Sequence, residues 1–184
     1  YGIDPETERL NYDEIERLAR AERPKMIIAG YTSYPWMPDW ARFRQIADAV
    51  GACLLADISH IAGMVAAGIV PSPIGHAHVI SFTTHKTLYG PRGACILTTD
   101  KSLAAKIDSA VFPGEQGGPH VNAMAGMAVS FRLAATPEFR QLQQQVVDNA
   151  VTLAAELQAR GLRIPYGGTD THMLLVDCKS VRAA

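Results

Sequence analysis

The strongest constraint on this chain is a spacing: short apolar runs separated by segments of helix length. Met26-Ile27-Ile28-Ala29 and Cys53-Leu54-Leu55-Ala56 are continuous apolar runs, and residues 79–83 form a third strand-like segment. An unbroken apolar run of this length is what a strand buried on both faces of a parallel sheet requires. Asn11 is placed to cap a first helix that Pro24 ends, with Glu14 three residues on and Ile15, Leu18 and Ala19 on one face. Asp39 likewise precedes a helix in which Trp40, Phe43, Ile46, Ala47 and Val50 fall on one stripe, and Gly51 is placed to end it. Strands alternating with helices predict an α/β fold with a parallel sheet.

The next run, residues 94–98, follows the third after only residues 84–93. A parallel crossover needs about a dozen residues or more, so this strand is expected to run antiparallel and the sheet to be mixed, mostly parallel. Beyond it lie a segment at 103–110, an apolar, alanine-rich stretch at 123–135 and a polar-faced helix at 137–160 that opens on Thr136-Pro137. Residues 173–176 read as the first strand of a second, smaller α+β domain. Residues 1–136 are therefore expected to belong to a large domain, and residues 137–184 to a connecting helix and the start of a small carboxy-terminal one.

The chain has 184 residues, 48% hydrophobic and 19% charged, enough to bury a core. Its formal net charge of −1 offers no basic field for nucleic acid or an anionic membrane, so a small metabolite is the expected partner. Cys53, Cys95 and Cys178 are odd in number and set in apolar runs, which suggests reduced thiols in a cytoplasmic protein. No run reaches the ~18 apolar residues of a membrane span, and the start lacks the pattern of a signal peptide. The opening Tyr1-Gly2-Ile3 has no initiator methionine and the end follows directly on a strand-like run, so both ends read as cut.

In an open α/β sheet, ligands bind at the carboxyl ends of the strands. Here those ends are Gly30-Tyr31-Thr32-Ser33-Tyr34, Asp57-Ile58-Ser59-His60 and Thr83-Thr84-His85-Lys86. A half-buried carboxylate such as Asp57 needs a cation or several donors, and taken alone it serves equally as a helix or loop cap. Lys86 taken alone reads as a surface lysine; desolvated after a strand, it becomes a nucleophilic amine. An acid for a ring nitrogen and an amine for an aldehyde, at neighbouring strand ends, are what pyridoxal phosphate requires. His60 and His85 flank the pair and could contact the cofactor or be satisfied by backbone. No recognised metal-ligand spacing links these histidines with Cys53 or Cys95, so no metal is expected. Finally, Phe112-Pro113-Gly114-Glu115-Gln116-Gly117-Gly118-Pro119 is a glycine-rich loop before a helix, able to offer amides to a phosphate or to serve as a plain turn.

Five segments, in order, resemble the serine hydroxymethyltransferase family of fold-type I pyridoxal phosphate enzymes. They are Asp57-Ile58-Ser59-His60-Ile61-Ala62-Gly63, Thr83-Thr84-His85-Lys86-Thr87-Leu88, Gly90-Pro91-Arg92-Gly93, the loop from Phe112 to Pro119, and Gly167-Gly168-Thr169-Asp170. The resemblance implies the large domain of a fold-type I transferase in which Lys86 forms the Schiff base, Asp57 pairs with the ring nitrogen and His60 contacts the phenolic oxygen. It places Thr83 and His85 beside the lysine as catalytic groups, and Thr32 in the family's Ser-x-Tyr segment near the cofactor. Gly117 and Gly118 would reach the phosphate of a neighbouring subunit, implying a homodimer or dimer of dimers with shared active sites. Arg92 would be a structural or cofactor-side contact.

The implied activity is transfer of the serine hydroxymethyl group to tetrahydrofolate, leaving glycine. Thr32 stands where the family has serine, Tyr89 where it has arginine, Asn122 where histidine is common and Thr171 where asparagine is common. These departures keep two alternatives open: another substrate on the same scaffold, as in a β-hydroxy amino acid aldolase or an α-methylserine hydroxymethyltransferase, or an inactive truncated copy. The family's amino-terminal tyrosine and glutamate, its ring-stacking histidine, most phosphate ligands and its carboxy-terminal arginine have no counterpart in this sequence. The fragment alone is therefore expected to be inactive.

Overall fold

A computed structural model of the chain describes residues 1–180. Helix α1, Tyr12–Glu22, begins where Asn11 Oδ1 accepts the Glu14 N–H at 3.1 Å and ends at Arg23, whose left-handed φ of 45° precedes Pro24. Strand β1, Met26–Ala29, leads to α2, Trp40–Val50, capped by Asp39 and closed by Gly51 at φ 70°. Strand β2, Cys53–Asp57, then reaches a one-turn helix α3, Ala62–Ala66. Strands β3, Val79–Thr83, and β4, Ala94–Leu97, complete a sheet of order β1-β2-β3-β4.

The first three strands are parallel and β4 is antiparallel, as the short connection requires. Helices α4, Lys101–Ser109, α5, Val121–Ala134, and α6, Pro137–Ala159, follow. Thr136 caps α6, with Pro137 in its first turn. The core lies between α2 and the sheet, where Phe43, Ile46, Leu54 and Ala56 are fully buried. Burying side chains of this size is worth about 1.5–3 kcal/mol each for the large ones. Among the described residues, no helix is long and apolar enough to cross a membrane.

Two expectations are corrected. Strand β1 is buried on one face only: Ile27 and Ala29 point into the core while Met26 and Ile28 are exposed. Helices α1 and α2 cover the inner face, and no described element covers the outer one. Residues 173–176 form no strand. An apolar run becomes a strand only when a neighbour completes its ladder, and beside this run the described residues form an isolated bridge between Arg163 and Asp177.

Candidate functional site

Parallel pairing puts the ends of β2 and β3 side by side, with Asp57 in register with Ser81. The residues that follow each strand therefore meet. Lys86 Nζ lies 2.9 Å from His60 Nε2. Asp57 and His60 line one small cavity together with Gly30, Tyr31, Trp36 and Thr171. Burial and the neighbouring Lys86 charge hold the His60 ring below its ordinary pKa, against a smaller opposing pull from Asp57. A neutral ring accepting at Nε2 from the Lys86 ammonium carries its own proton on Nδ1.

The loop bearing Lys86 is fixed by polar bonds on every side. Thr84 is fully buried and its hydroxyl donates to Pro91 O at 2.5 Å, while Thr87 Oγ1 donates to His60 O at 3.0 Å and accepts the Gly63 N–H at 3.0 Å. From the helices, Gln143 Nε2 donates to Thr87 O and Ser130 Oγ to Leu88 O, each at 2.8 Å. A Cβ at Gly63 would come within 2.1 Å of Thr87 O, so no larger residue fits there. These bonds fix the backbone on both sides of Lys86, from which its side chain reaches His60.

Beneath Asp57, Gly30 allows the ends of β1 and β2 to approach closely. Its φ is +143°, and a Cβ would lie 1.9 Å from the Asp57 carbonyl oxygen. Above His60, the His172 ring stacks with a centroid separation of 6.1 Å and an interplanar angle of 21°. Burial first, then the charges of His60 and Lys86, hold His172 below its ordinary pKa. His172 arrives there because its segment is docked on residues 35–37. Trp36 Nε1 donates to Tyr166 O at 3.1 Å, Thr169 Oγ1 donates to Pro35 O at 3.2 Å, and Asp170 Oδ2 accepts the Met37 N–H at 3.2 Å. Glu8 adds an ion pair with Arg163 and accepts the Tyr166 N–H at 2.7 Å.

Of the residues singled out in the sequence, Asp57, His60 and Lys86 are brought together. Thr83 and His85 instead line a cleft of about 870 Å³ that also holds Phe112 and Gln116 from the glycine-rich loop. Thr32 is exposed in a separate cavity beside Tyr1, Tyr31 and Tyr34. Gly117 and Gly118 are exposed with open space around them, and Arg92 is exposed. Sequence reasoning assigned nothing to Ser59 or His172. The Asp-x-Ser spacing, which favours a local side-chain turn, was a usable signal for the first; none existed for the second, which depends on a long-range docking.

The chain's own groups fit pyridoxal phosphate. Asp57 keeps one oxygen, Oδ2, without a hydrogen-bond partner among the described residues, as a ring N–H would need. Thr83 Oγ1 and His85 Nδ1 are buried and unpartnered, and the Lys86 amine has His60 as its one hydrogen-bond partner among the described residues. Unsatisfied buried polar atoms are uncommon, and Gln143 Oε1, Asp170 Oδ1 and His172 Nδ1 are likewise unpartnered among the described residues.

Comparison with known proteins shows the family. A family model described as serine hydroxymethyltransferase matches residues 1–183. A serine hydroxymethyltransferase of Nostoc punctiforme is 56% identical over 181 residues, covering 98% of this chain and 42% of the relative. One from a Synechococcus strain is 55% identical over 183 residues, with 100% and 42% covered. Another from Bartonella tribocorum is 54% identical over 180 residues, with 98% and 41% covered. The chain thus spans about two-fifths of the length of the curated relatives it matches. With the family model matching residues 1–183 and relatives 54–56% identical along almost its whole length, the chain belongs to the serine hydroxymethyltransferase family.

Proposed function

We propose that this chain supplies the lysine-bearing half of the active site in an enzyme that interconverts serine and glycine, passing the hydroxymethyl group to tetrahydrofolate. The observation that supports it most is the 2.9 Å contact between Lys86 Nζ and His60 Nε2 beside a carboxylate with one free oxygen. Pyridoxal phosphate, when bound, supplies an electron sink for bond cleavage at the substrate α-carbon. Lys86 is the residue to hold it, through its amine; Asp57 Oδ2 is the acceptor for the ring N–H; and His60 takes the phenolic side.

A neutral His60 is a better neighbour for that amine than a charged one, because Nε2 accepts the ammonium proton's hydrogen bond without adding like charge. His172, also held below its ordinary pKa, stacks on the His60 ring. Thr83 and His85 line the second cleft together with Gln116 of the glycine-rich loop. Thr32, Gly117 and Gly118 would join from the cavity rims, the two glycines toward a phosphate held by a second subunit. The protein would act in the cytoplasm as a homodimer or dimer of dimers, with residues 1–136 in the large domain and residues 137–184 leading into the small one.

The experiment is serine cleavage by a full-length protein carrying this segment, followed with and without tetrahydrofolate. Glycine formation that depends on the folate is expected. Equal turnover without it points to an aldolase on the same scaffold, and no turnover despite bound cofactor points to an inactive copy.

A further inference from the structure

Ser59 sits between Asp57 and His60, and its hydroxyl is fully engaged. Its backbone N–H and its Oγ both reach Asp57 Oδ1, at 2.9 and 2.6 Å. The same Oγ accepts the backbone N–H of Thr83 at 3.1 Å. A serine hydroxyl has one proton, and Thr83 N–H can only donate, so the proton is committed to the carboxylate. Two donors converge on Oδ1, one of them in the short range of charge-assisted bonds, and they fix the plane of the carboxyl group. The bond to Thr83 ties the end of β2 to the end of β3, three residues before Lys86.

We propose that Ser59 is a positioning residue for the cofactor: by holding Asp57 Oδ1 it turns Oδ2 toward the ring nitrogen, and by accepting from Thr83 it sets the separation between that acid and the lysine loop. The inference rests on the reading of Asp57 as the partner of the ring nitrogen. One hydroxyl thereby couples the two groups that grip opposite ends of the same ring. Its loss would leave Asp57 Oδ1 held by the Ser59 backbone N–H alone and would leave the Thr83 N–H without its acceptor.

The test compares Ser59→Ala, Ser59→Thr and Asp57→Asn in a full-length protein carrying this segment. Two quantities are read: the dissociation constant for pyridoxal phosphate, and the pH midpoint of the bound cofactor's visible absorption band. Ser59→Ala is expected to weaken binding roughly tenfold, the equivalent of one charge-assisted hydrogen bond. It should also move the midpoint in the direction that Asp57→Asn moves it. Ser59→Thr, which keeps the hydroxyl, should return both to within roughly twofold of the parent. If Ser59→Ala matches the parent in both while Asp57→Asn does not, the role of Ser59 is overturned and that of Asp57 stands. A lowered melting temperature with an unmoved midpoint overturns it too, since a strand tie alone would behave so. An Asp57→Asn protein unchanged in both overturns the reading of Asp57 itself. Should Ser59→Ala fail to fold, Ser59→Cys, of similar size with a weak donor, is judged by the same criteria.

Discussion

The segment through β1, β2 and β3 and the segment through β4, α4 and α5 use apolar residues in opposite ways. In the first, Phe43, Ile46, Leu54 and Ala56 are wholly enclosed, and the strand ends beside them carry Asp57, His60 and Lys86. In the second, α4 buries no residue, and Val121, Val129 and Leu133 of α5 are all more than half exposed. The polar side of the comparison runs in parallel. The Lys86 loop is bonded to α3, α5 and α6, whereas Gly117 and Gly118 have open space around them. The lesson is that Asp57, His60 and Lys86 are set by many contacts this chain makes with itself, while Gly117 and Gly118 of the glycine-rich loop have open space around them.

Changes in the enclosed segment should therefore cost most. Phe43→Ala removes a fully buried ring and is expected to destabilise the chain by about 3–5 kcal/mol in urea unfolding; a loss under about 1 kcal/mol would break the comparison. Gly30→Ala forces a left-handed backbone and a clash with the Asp57 carbonyl, with an expected loss of about 2–4 kcal/mol and a displaced Asp57. That displacement should appear as weakened cofactor binding in the full-length protein. Gln143→Leu removes the buried donor to Thr87 O and should cost about 1–3 kcal/mol.

A pH series probes the histidine pair. His60 and His172 are both held below their ordinary value of about 6.5, so the unfolded chain takes up their protons at a higher pH than the folded one. Stability is complete above about 6.5 and falls as the pH drops through the folded-state values. His172→Phe should flatten that acid slope in unfolding free energies measured across the range. The smallest effect is expected on the exposed helix: Val129→Ser should change the stability of this chain by no more than about 0.5 kcal/mol.

Much of this was legible in the residues themselves. Asn11, Asp39, Gly51 and Thr136 mark helix ends through local chemistry, and the short 84–93 connection fixes the antiparallel β4. The meeting of Asp57, His60 and Lys86 is legible because the residues that follow adjacent parallel strands lie side by side. What stayed hidden depends on contacts between distant segments. The exposure of Met26 and Ile28 reflects an outer face that no described helix covers, which an apolar run cannot signal. The run at 173–176 has strand composition but no partner ladder among the described residues, and the stacking of His172 on His60 follows from docking residues 165–172 onto residues 35–37. Ser59 lay between the two, visible as a spacing and interpretable only once its hydroxyl was seen shared between Asp57 and Thr83.

The central claim, that Lys86 is the amine that holds pyridoxal phosphate, is tested most directly by borohydride reduction of the loaded full-length protein followed by peptide mapping. The account predicts a reduced pyridoxyl adduct on Lys86, and its loss in Lys86→Ala while the cofactor still binds. An adduct on Lys25, Lys101, Lys106 or Lys179, or one that persists in Lys86→Ala, would contradict it.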